Sequence, residues 1–316
     1  MSVVVGIRAE RSIGVSRYCD RLAASLQALG LEYVLAATPR RGHAAHWHLA
    51  NSSRSAAWQA PRRRAPFAVT VHDVLPRTTA LMPFYRLVVY PVVRRAAAVV
   101  VHSRYAADLL RETAGAAAKV HVIPHPAARP AKSDRADARR ALGWPEDARI
   151  AVLPGVIKAA KLIGVAVSGV RGAAGWRLAL AGRVQDAAAA AAARAAGDFV
   201  LESPDEETYE RAIVAADAVL VLRSASVGET NGPLLDALGA GRAVIATATG
   251  SIPEVAGEAA LLCQPTADAV RAALERLTDE EERHERELLA AARGAELTWA
   301  ASAESHASLF EQVFGA

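Results

Sequence analysis

Short apolar runs alternate with longer stretches of helical spacing along almost the whole chain. Residues 3–7 form the first run, short and rich in valine, which predicts a buried parallel strand. After RSIGVSRY, Tyr18, Leu22, Leu26 and Leu29 recur at helical spacing up to Gly30, so the opening reads as strand, glycine-containing loop, helix. Further strands are predicted over 33–36, 46–49, 68–71, 99–101 and 120–123, the last stopped by Pro124. Ser103 stands where it would cap the helix that carries Ala107 to Leu110. From 126 to 137 the composition turns to Ala, Pro, Lys, Ser and Asp without an apolar period, which is linker chemistry. The alternation then restarts, with strands over 150–153, 177–181, 199–201, 218–222, 244–246 and 260–262. Helices are predicted over 205–216 and from a Thr266 cap to about residue 277. Two such halves predict an α/β protein of two Rossmann-like domains facing a cleft.

Residues 228–254, GETNGPLLDALGAGRAVIATATGSIPE, hold the densest candidate chemistry. An apolar run ends at Leu222, the chain turns through Gly-Glu-Thr-Asn-Gly, and Pro233 sits where a first helical turn begins. Unpaired backbone N–H groups at such a helix start hold a phosphate or pyrophosphate. Glu229 lies in the loop and Asp236 in the first helical turn, one turn on from Gly232. These carboxylates suit a ribose hydroxyl and a sugar, and they equally suit a helix dipole with no ligand. Lys158 and Lys161 follow Gly155 after a strand end, where a mobile point charge meets a pyrophosphate or simply opens a surface helix. His72 ends a strand, at the edge where open α/β sheets bind ligands, or else satisfies local backbone groups. His43, His46 and His48 lack a nearby carboxylate and a metal-site spacing, so they read as loop histidines at a strand end.

A chain of 316 residues fits about two domains. At 52% hydrophobic and 22% charged residues it is no disordered chain, although alanine supplies much of the apolar count. The net charge of +4 gathers in the first third, at Arg40, Arg41, Arg54, Arg62, Arg63, Arg64, Arg94 and Arg95. Such a surface faces an anionic lipid or acidic acceptor, or serves solubility alone. No aromatics interleave with the arginines, which disfavours nucleic acid. The stretch 84–97 combines aromatics with paired arginines and suits either a membrane-surface helix or packing on the sheet, with Pro91 bending or beginning a helix. Two cysteines far apart, Cys19 and Cys263, fit a reducing cytoplasm, and the first ten residues do not read as a signal peptide. Alanine and arginine richness is of the actinobacterial kind.

The segment GPLLDALGAGRAVIATATGSIPEVAGEAALL, with IGVSRY, VTVHDVLP, VVVHSRYAADLL, VHVIPHP, Gly155 to Lys161 and the last helix-like segment, resembles family 4 of the retaining glycosyltransferases. The resemblance implies a GT-B fold whose C-terminal helix crosses back to the first domain. It divides the chain into an acceptor domain over 1–130, a nucleotide-sugar donor domain over 131–298 and a terminal helix over 299–316. It implies that Lys161 contacts the donor phosphates, that Gly14 lets its backbone approach the donor, and that His72 lies by the transferred sugar. Ser203 would touch the base and Asp236 the ribose. Backbone N–H groups at Thr230, Asn231, Gly232 and Leu234 would hold the diphosphate, with Gly155 in the lysine loop.

The departures are specific. The arginine after the loop glycine is Val156, for which Lys158 is the substitute. The family places seven residues between its two acids, whereas six separate Glu229 from Asp236, and strict register puts Gly228 at the first acidic position. Ser16 replaces the second glycine of the first loop, and 37–67 leaves little room for extra elements of an acceptor domain.

The expected activity is transfer with retention from a nucleoside diphosphate sugar, with UDP as carrier, to a hydroxyl of a sugar-containing or lipid-linked acceptor, as in natural products or cell-envelope glycosides. Glu229 and His72 are the catalytic candidates, and neither cofactor nor metal is expected. The expected setting is the cytoplasm, at the inner face of the membrane, with peripheral membrane contact. The alternatives are a nucleotide-sugar-binding subunit without catalysis, and an epimerase or hydrolase of the same fold.

Overall fold

In the computed structural model the described residues are 4–7, 13–38, 43–50, 66–115, 119–128, 134–157, 162–185 and 187–315. Backbone contacts divide the chain into two compact units. The first comprises Met1–Pro126, Val227–Thr230 and Leu297–Ala316, and the second Ala127–Ser226 and Asn231–Glu296.

The first unit is built on a parallel sheet in the order β2-β1-β3-β4-β5-β6. Its strands are β1 (Val4–Ile7), β2 (Tyr33–Ala36), β3 (Ala44–Leu49), β4 (Phe67–Val71), β5 (Ala98–Val101) and β6 (Val120–Val122). β4 and β5 are buried along their whole length, as in a strand covered on both faces, so β5 reads as an unbroken apolar run and β4 as one interrupted only by Thr70. The second unit repeats the plan with β7 (Arg149–Pro154), β8 (Trp176–Gly182), β9 (Phe199–Glu202), β10 (Ala218–Val221), β11 (Val244–Thr247) and β12 (Ala260–Cys263). Its order, β12-β11-β10-β7-β8-β9, reverses direction between β7 and β10, which is the arrangement that opens a ligand crevice at the carboxyl ends of those two strands.

Helix starts are fixed by side-chain caps. Ser103 accepts from the Ala106 N–H at 3.1 Å, and Thr266 from that of Ala269 at 3.3 Å, both at the expected places. Three expectations are corrected. The first helix spans Ile13–Ala28, so Gly14 and Ser16 lie within its opening turns and form no loop ahead of it. The linker chemistry ends sooner than the composition suggests, because Asp134 caps the helix Arg135–Leu142 by accepting from the Asp137 N–H at 2.6 Å. His46 and His48 are interior positions of β3, which begins at Ala44, and only His43 lies in the turn before it. Between β4 and β5 a helical stretch covers 79–95. Pro91 lacks the N–H that would continue a regular ladder, and Tyr85–Val89 takes a wider π turn before Tyr90–Arg95 resumes. Among the described residues, no helix is long and apolar enough to cross a membrane.

The terminal helix Trp299–Phe314 belongs to the first unit and lies against Ile13–Ala28, where Phe310 stacks on Tyr33 with ring centroids 6.1 Å apart. In the second unit a buried ion network ties the helices to the start of β10. Arg139 reaches Asp217 at 2.5 Å, and Arg135 bridges Asp217 and Glu287. Arg242 packs beside them, and burial, then the neighbouring Arg135, lowers its pKa.

Helix Glu280–Glu296 meets Gly232–Gly239 backbone to side at Gly294, where an added Cβ would land on the Leu238 carbonyl. Gly294→Ala should therefore lower the unfolding free energy by about 1–3 kcal/mol through overpacking. At Gly164 an added methyl meets nothing within 4 Å. Gly164→Ala should raise stability by about 0.4–1 kcal/mol. Urea midpoints of the two variants shifting the same way would contradict this packing.

Candidate functional site

In the second unit, glycines let the ends of β7 and β8, beside the switch in order, come close together. Gly155, just past β7, has φ 95°, and its N–H bonds to the Ala181 carbonyl at 2.9 Å. A Cβ on Gly182 would collide with the Gly155 carbonyl, so the two strand ends approach as only glycines allow. Ser203 follows at the end of β9 with φ 50°. Its N–H bonds to the Gly182 carbonyl at 2.8 Å, and its hydroxyl accepts from the Val184 N–H at 3.4 Å. A non-glycine residue in the left-handed region is a strained choice that clusters at ligand sites. Lys158, Lys161 and the loop that carries them lie outside the described residues.

After β10 the chain leads to helix Gly232–Gly239. Asn231 is its N-cap, buried, with its side-chain oxygen accepting from the Leu234 N–H at 3.2 Å. Leu234 thus spends its N–H on the cap. Pro233 has none, and beyond the chain neighbours and the helix's own backbone no atom of the described residues stands within 4 Å of where a Cβ on Gly232 would sit. Asp236 falls one turn past Gly232, beyond the first turn expected for it, and accepts from the Tyr209 hydroxyl at 3.0 Å. Arg223, just beyond β10, is fixed through its backbone: its N–H bonds to the Thr247 hydroxyl at 2.8 Å, and its carbonyl accepts from Thr247 and Thr249. Sequence reasoning missed Tyr209 and both threonines, because their contacts bridge elements distant in the chain.

Within the first unit, Val227–Thr230 packs against the segment after β4, with the Leu75 N–H on the Val227 carbonyl at 2.9 Å. Gly228 has φ 84°, and a Cβ there would press on Val74 at 2.7 Å. The position that register assigns to the first acid therefore admits no side chain. The Glu229 carboxylate accepts from the Val227 N–H at 2.7 Å. Nearby, Arg77 pairs with Asp73 at 2.9 Å; burial opposes its charge, and Asp73 with help from Glu229 outweighs that and raises its pKa. Gly14 is exposed in the first turn of its helix.

His72 is one of six histidines that converge at the carboxyl ends of the strands. His48 comes from β3, His72 follows β4, His102 follows β5, and His125 lies just beyond β6. His46 and His306 complete the group. Tyr18 is at its centre, with ring centroids 5.0 Å from His72, 5.1 Å from His102, 4.9 Å from His125 and 5.4 Å from Trp299. His102 donates from Nδ1 to the Ile123 carbonyl at 2.9 Å, and His306 to the Ser302 carbonyl at 2.8 Å. Burial holds His102 and His306 down to about 4 despite these bonds, which favour the charged form, and His102 further lowers His306. Burial and then His102 bring His125 to about 3. His46, His48 and His72 lie well below the ordinary range through burial first and the neighbouring imidazoles second. The array is thus neutral at pH 7 and offers hydrogen bonds without charge. No group of three or more metal-ligand side chains is assembled among the described residues. A sequence signal for this cluster existed in the repeated placement of a histidine at successive strand ends, His72-Asp73, His102-Ser103 and Pro124-His125.

Residues 39–126 match the model of the glycosyl transferase 4-like domain. No curated protein matches the sequence. Among solved structures, a sucrose-phosphate synthase from Thermosynechococcus elongatus superposes with a TM-score of 0.83 at 19% identity, covering 100% of both chains. The Anabaena protein HepE in complex with UDP-glucose gives 0.79 at 11% identity, over 99% of this chain and 100% of that one. A glycosyltransferase from Rickettsia africae gives 0.75 at 12% identity, over 99% of this chain and 98% of that one. The chain thus has the GT-B glycosyltransferase fold, with its two Rossmann-like sheets and a C-terminal helix.

The neutral array ties stability to pH. An unfolded histidine takes up its proton near pH 6.5, whereas His102 and His306 in the folded chain do so only near 4. Between those values the unfolded state binds more protons, so stability is full above about pH 6.5 and falls as pH drops towards 4. The slope should reach about 1.4 kcal/mol per pH unit for each such histidine. Urea unfolding at pH 7, 6 and 5 measures it, and a flat profile would mean that the rings are solvated.

Proposed function

We propose that this protein transfers a sugar from a nucleoside diphosphate sugar, with UDP as carrier, to a hydroxyl of a sugar-containing or lipid-linked acceptor, with retention at the anomeric carbon. The observation that carries the reading is the helix start at Gly232. It lies after β10, at the switch in strand order; it is capped by Asn231, and beyond the helix itself its flank at Gly232 is clear among the described residues. Its dipole and the N–H groups of Asn231 and Gly232 suit the charge that develops on a leaving diphosphate. Thr230 extends the same run of backbone, and Lys161 supplies the mobile cation, with Lys158 as the substitute for the arginine missing at Val156. No metal is required in this scheme, because fixed dipoles and lysine charge do the same work. Asp236, oriented by the Tyr209 hydroxyl, takes the ribose hydroxyls, and the strained Ser203 takes the base. Gly155 lets the lysine loop approach the phosphates, and Gly14 exposes backbone to the donor. Glu229 and His72 meet the transferred sugar. The match of residues 39–126 and the fold shared with a protein solved with UDP-glucose support this reading.

A second reading, binding of the nucleotide sugar without turnover, is favoured by one observation. Gly228 occupies the first acidic position with no room for a side chain, and the Glu229 carboxylate bonds back to Val227.

Calorimetry with UDP, and transfer assays that follow the anomeric configuration of the product by NMR, test both readings. Asp236→Asn should weaken UDP binding about tenfold, the scale of one charge-assisted hydrogen bond. Glu229→Gln should leave UDP affinity unchanged and cut turnover about tenfold to a thousandfold. Unchanged UDP binding in Asp236→Asn sinks the donor assignment, and UDP binding without transfer to any acceptor establishes the second reading.

A further inference from the structure

The histidine array contains a continuous line of hydrogen bonds. Thr70 Oγ1 lies 2.7 Å from His46 Nε2, and His46 Nδ1 lies 2.9 Å from the Tyr33 hydroxyl. That hydroxyl is 3.3 Å from His48 Nε2, and His48 Nδ1 is 3.2 Å from His72 Nε2. Thr70, His46, Tyr33 and His48 are fully buried. Tyr33 is seated over β1, where a side chain on Gly6 would land on its hydroxyl.

Each neutral imidazole has one donor and one acceptor nitrogen, and each hydroxyl has one proton. The line is therefore satisfied in only two ways, all donors pointing one way or all pointing the other. If His72 Nε2 donates to His48, the chain of donors ends with His46 Nε2–H on Thr70, whose own proton then needs another acceptor. Among the described residues the Thr70 hydroxyl has no second partner, so this polarity leaves a buried donor unmet. In the opposite polarity Thr70 donates to His46 Nε2, His46 Nδ1–H to Tyr33, Tyr33 to His48 Nε2, and His48 Nδ1–H to His72 Nε2. Every proton is placed, and the last one, on His72 Nδ1, is left over.

We infer that Thr70, His46, Tyr33 and His48 form a hydrogen-bonded wire of fixed polarity that makes Nδ1 of His72 a permanent hydrogen-bond donor. The four are positioning residues, since they act through His72. Nδ1 of His72 has no partner among the described residues, and the residue is half-buried at the edge of the cluster. On the function proposed above, from which this step starts, a neutral ring with a committed N–H presents a donor to a sugar hydroxyl oxygen. It discriminates against a ligand group that can only donate. Tyr18 and His102 pack on the ring of His72, and His125 and His306 act on it from further off. His102, His125 and His306 each donate from Nδ1 to a backbone carbonyl, so their tautomers are fixed independently. All six histidines of the array then carry their proton on Nδ1, the minority tautomer of a free histidine side chain. His121 and His284 are exposed and serve as solvent controls.

Two-bond proton–nitrogen correlation spectra of the full-length protein labelled with nitrogen-15 in histidine read the tautomers directly at pH 7.5. His72 is assigned by the signal lost in His72→Gln. The expected result is six Nδ1–H patterns, His72 among them. In Tyr33→Phe, which keeps the ring and cuts the wire, the His72 signal should become a mixture with the Nε2–H form. His48→Leu should do the same. His48→Asn, whose amide retains a donor at the Nδ1 position, should restore the Nδ1–H form. In transfer assays the two disrupted variants should lose about tenfold in kcat/KM, the scale of one hydrogen bond, and His48→Asn should stay within about twofold of the parent. An Nε2–H pattern for His72 in the unaltered protein overturns the wire, and that result needs no variant to fold. An unshifted His72 tautomer in a folded Tyr33→Phe overturns it equally. Should His72→Gln transfer sugar at the parental rate while the tautomers are as stated, the wire stands and the sugar-contact role of His72 falls.

Discussion

Six histidines share one packed cluster, His46, His48, His102 and His306 buried and His72 and His125 half-buried at its edge, and the first unit is arranged around keeping these rings neutral. A first added proton would lose its hydration, and a second would be repelled by the first at centroid distances of 4.4–5.7 Å, in surroundings that screen charge poorly. The protein meets the constraint with backbone carbonyls at Ile123, Pro126 and Ser302, and with the hydroxyls of Tyr33 and Thr70. The one carboxylate next in sequence, Asp73, is engaged by Arg77. Polarity without net charge suits recognition of hydroxyl groups, because each ring can match a hydroxyl with a donor or an acceptor at no cost of burying an ion.

The second unit solves a different problem with different means. On the function proposed above the ligand here is a charged diphosphate, and the feature that would meet its charge is a permanent one of the backbone, the start of helix Gly232–Gly239. Asn231 takes the Leu234 N–H for its cap, which fixes where the helix begins. The ion network of Arg135, Arg139, Asp217, Arg242 and Glu287 lies at the other end of the sheet, near the start of β10, and stiffens the frame from there.

The strands were legible because a parallel strand buried on both faces is apolar along most of its length. The runs over 68–71 and 99–101 are short and rich in β-branched residues, which favours strand over buried helix, and the observed strands differ from the expected ones by a residue or two at their ends. Caps at Ser103 and Thr266 were legible for the same local reason. The start of the first helix was not, because Gly14 and Ser16 carry turn chemistry that the tertiary packing of Tyr18, Leu22 and Leu26 overrides. His46 and His48 read as loop residues since nothing in their neighbourhood of sequence reveals Tyr33, Thr70 and Phe310 as their partners. Asp236 was singled out by its place one turn on from Gly232, while Tyr209, which bonds to it, sits 27 residues earlier and carries no pattern of its own.

Glu229 shows why a one-residue difference in spacing has structural weight. With six residues before Asp236, the register leaves glycine at position 228, and the backbone there takes a left-handed turn pressed on Val74. A left-handed turn at this point redirects the next side chain, and the Glu229 carboxylate folds back on the N–H of Val227. The acid is thereby moved one residue along the chain and given a backbone partner in the same step. Gly228 and Glu229 act as one unit, in which the glycine sets the direction and the carboxylate holds the turn. Any role of Glu229 towards a sugar must work from that held position, with Arg77 and Asp73 as its electrostatic neighbours.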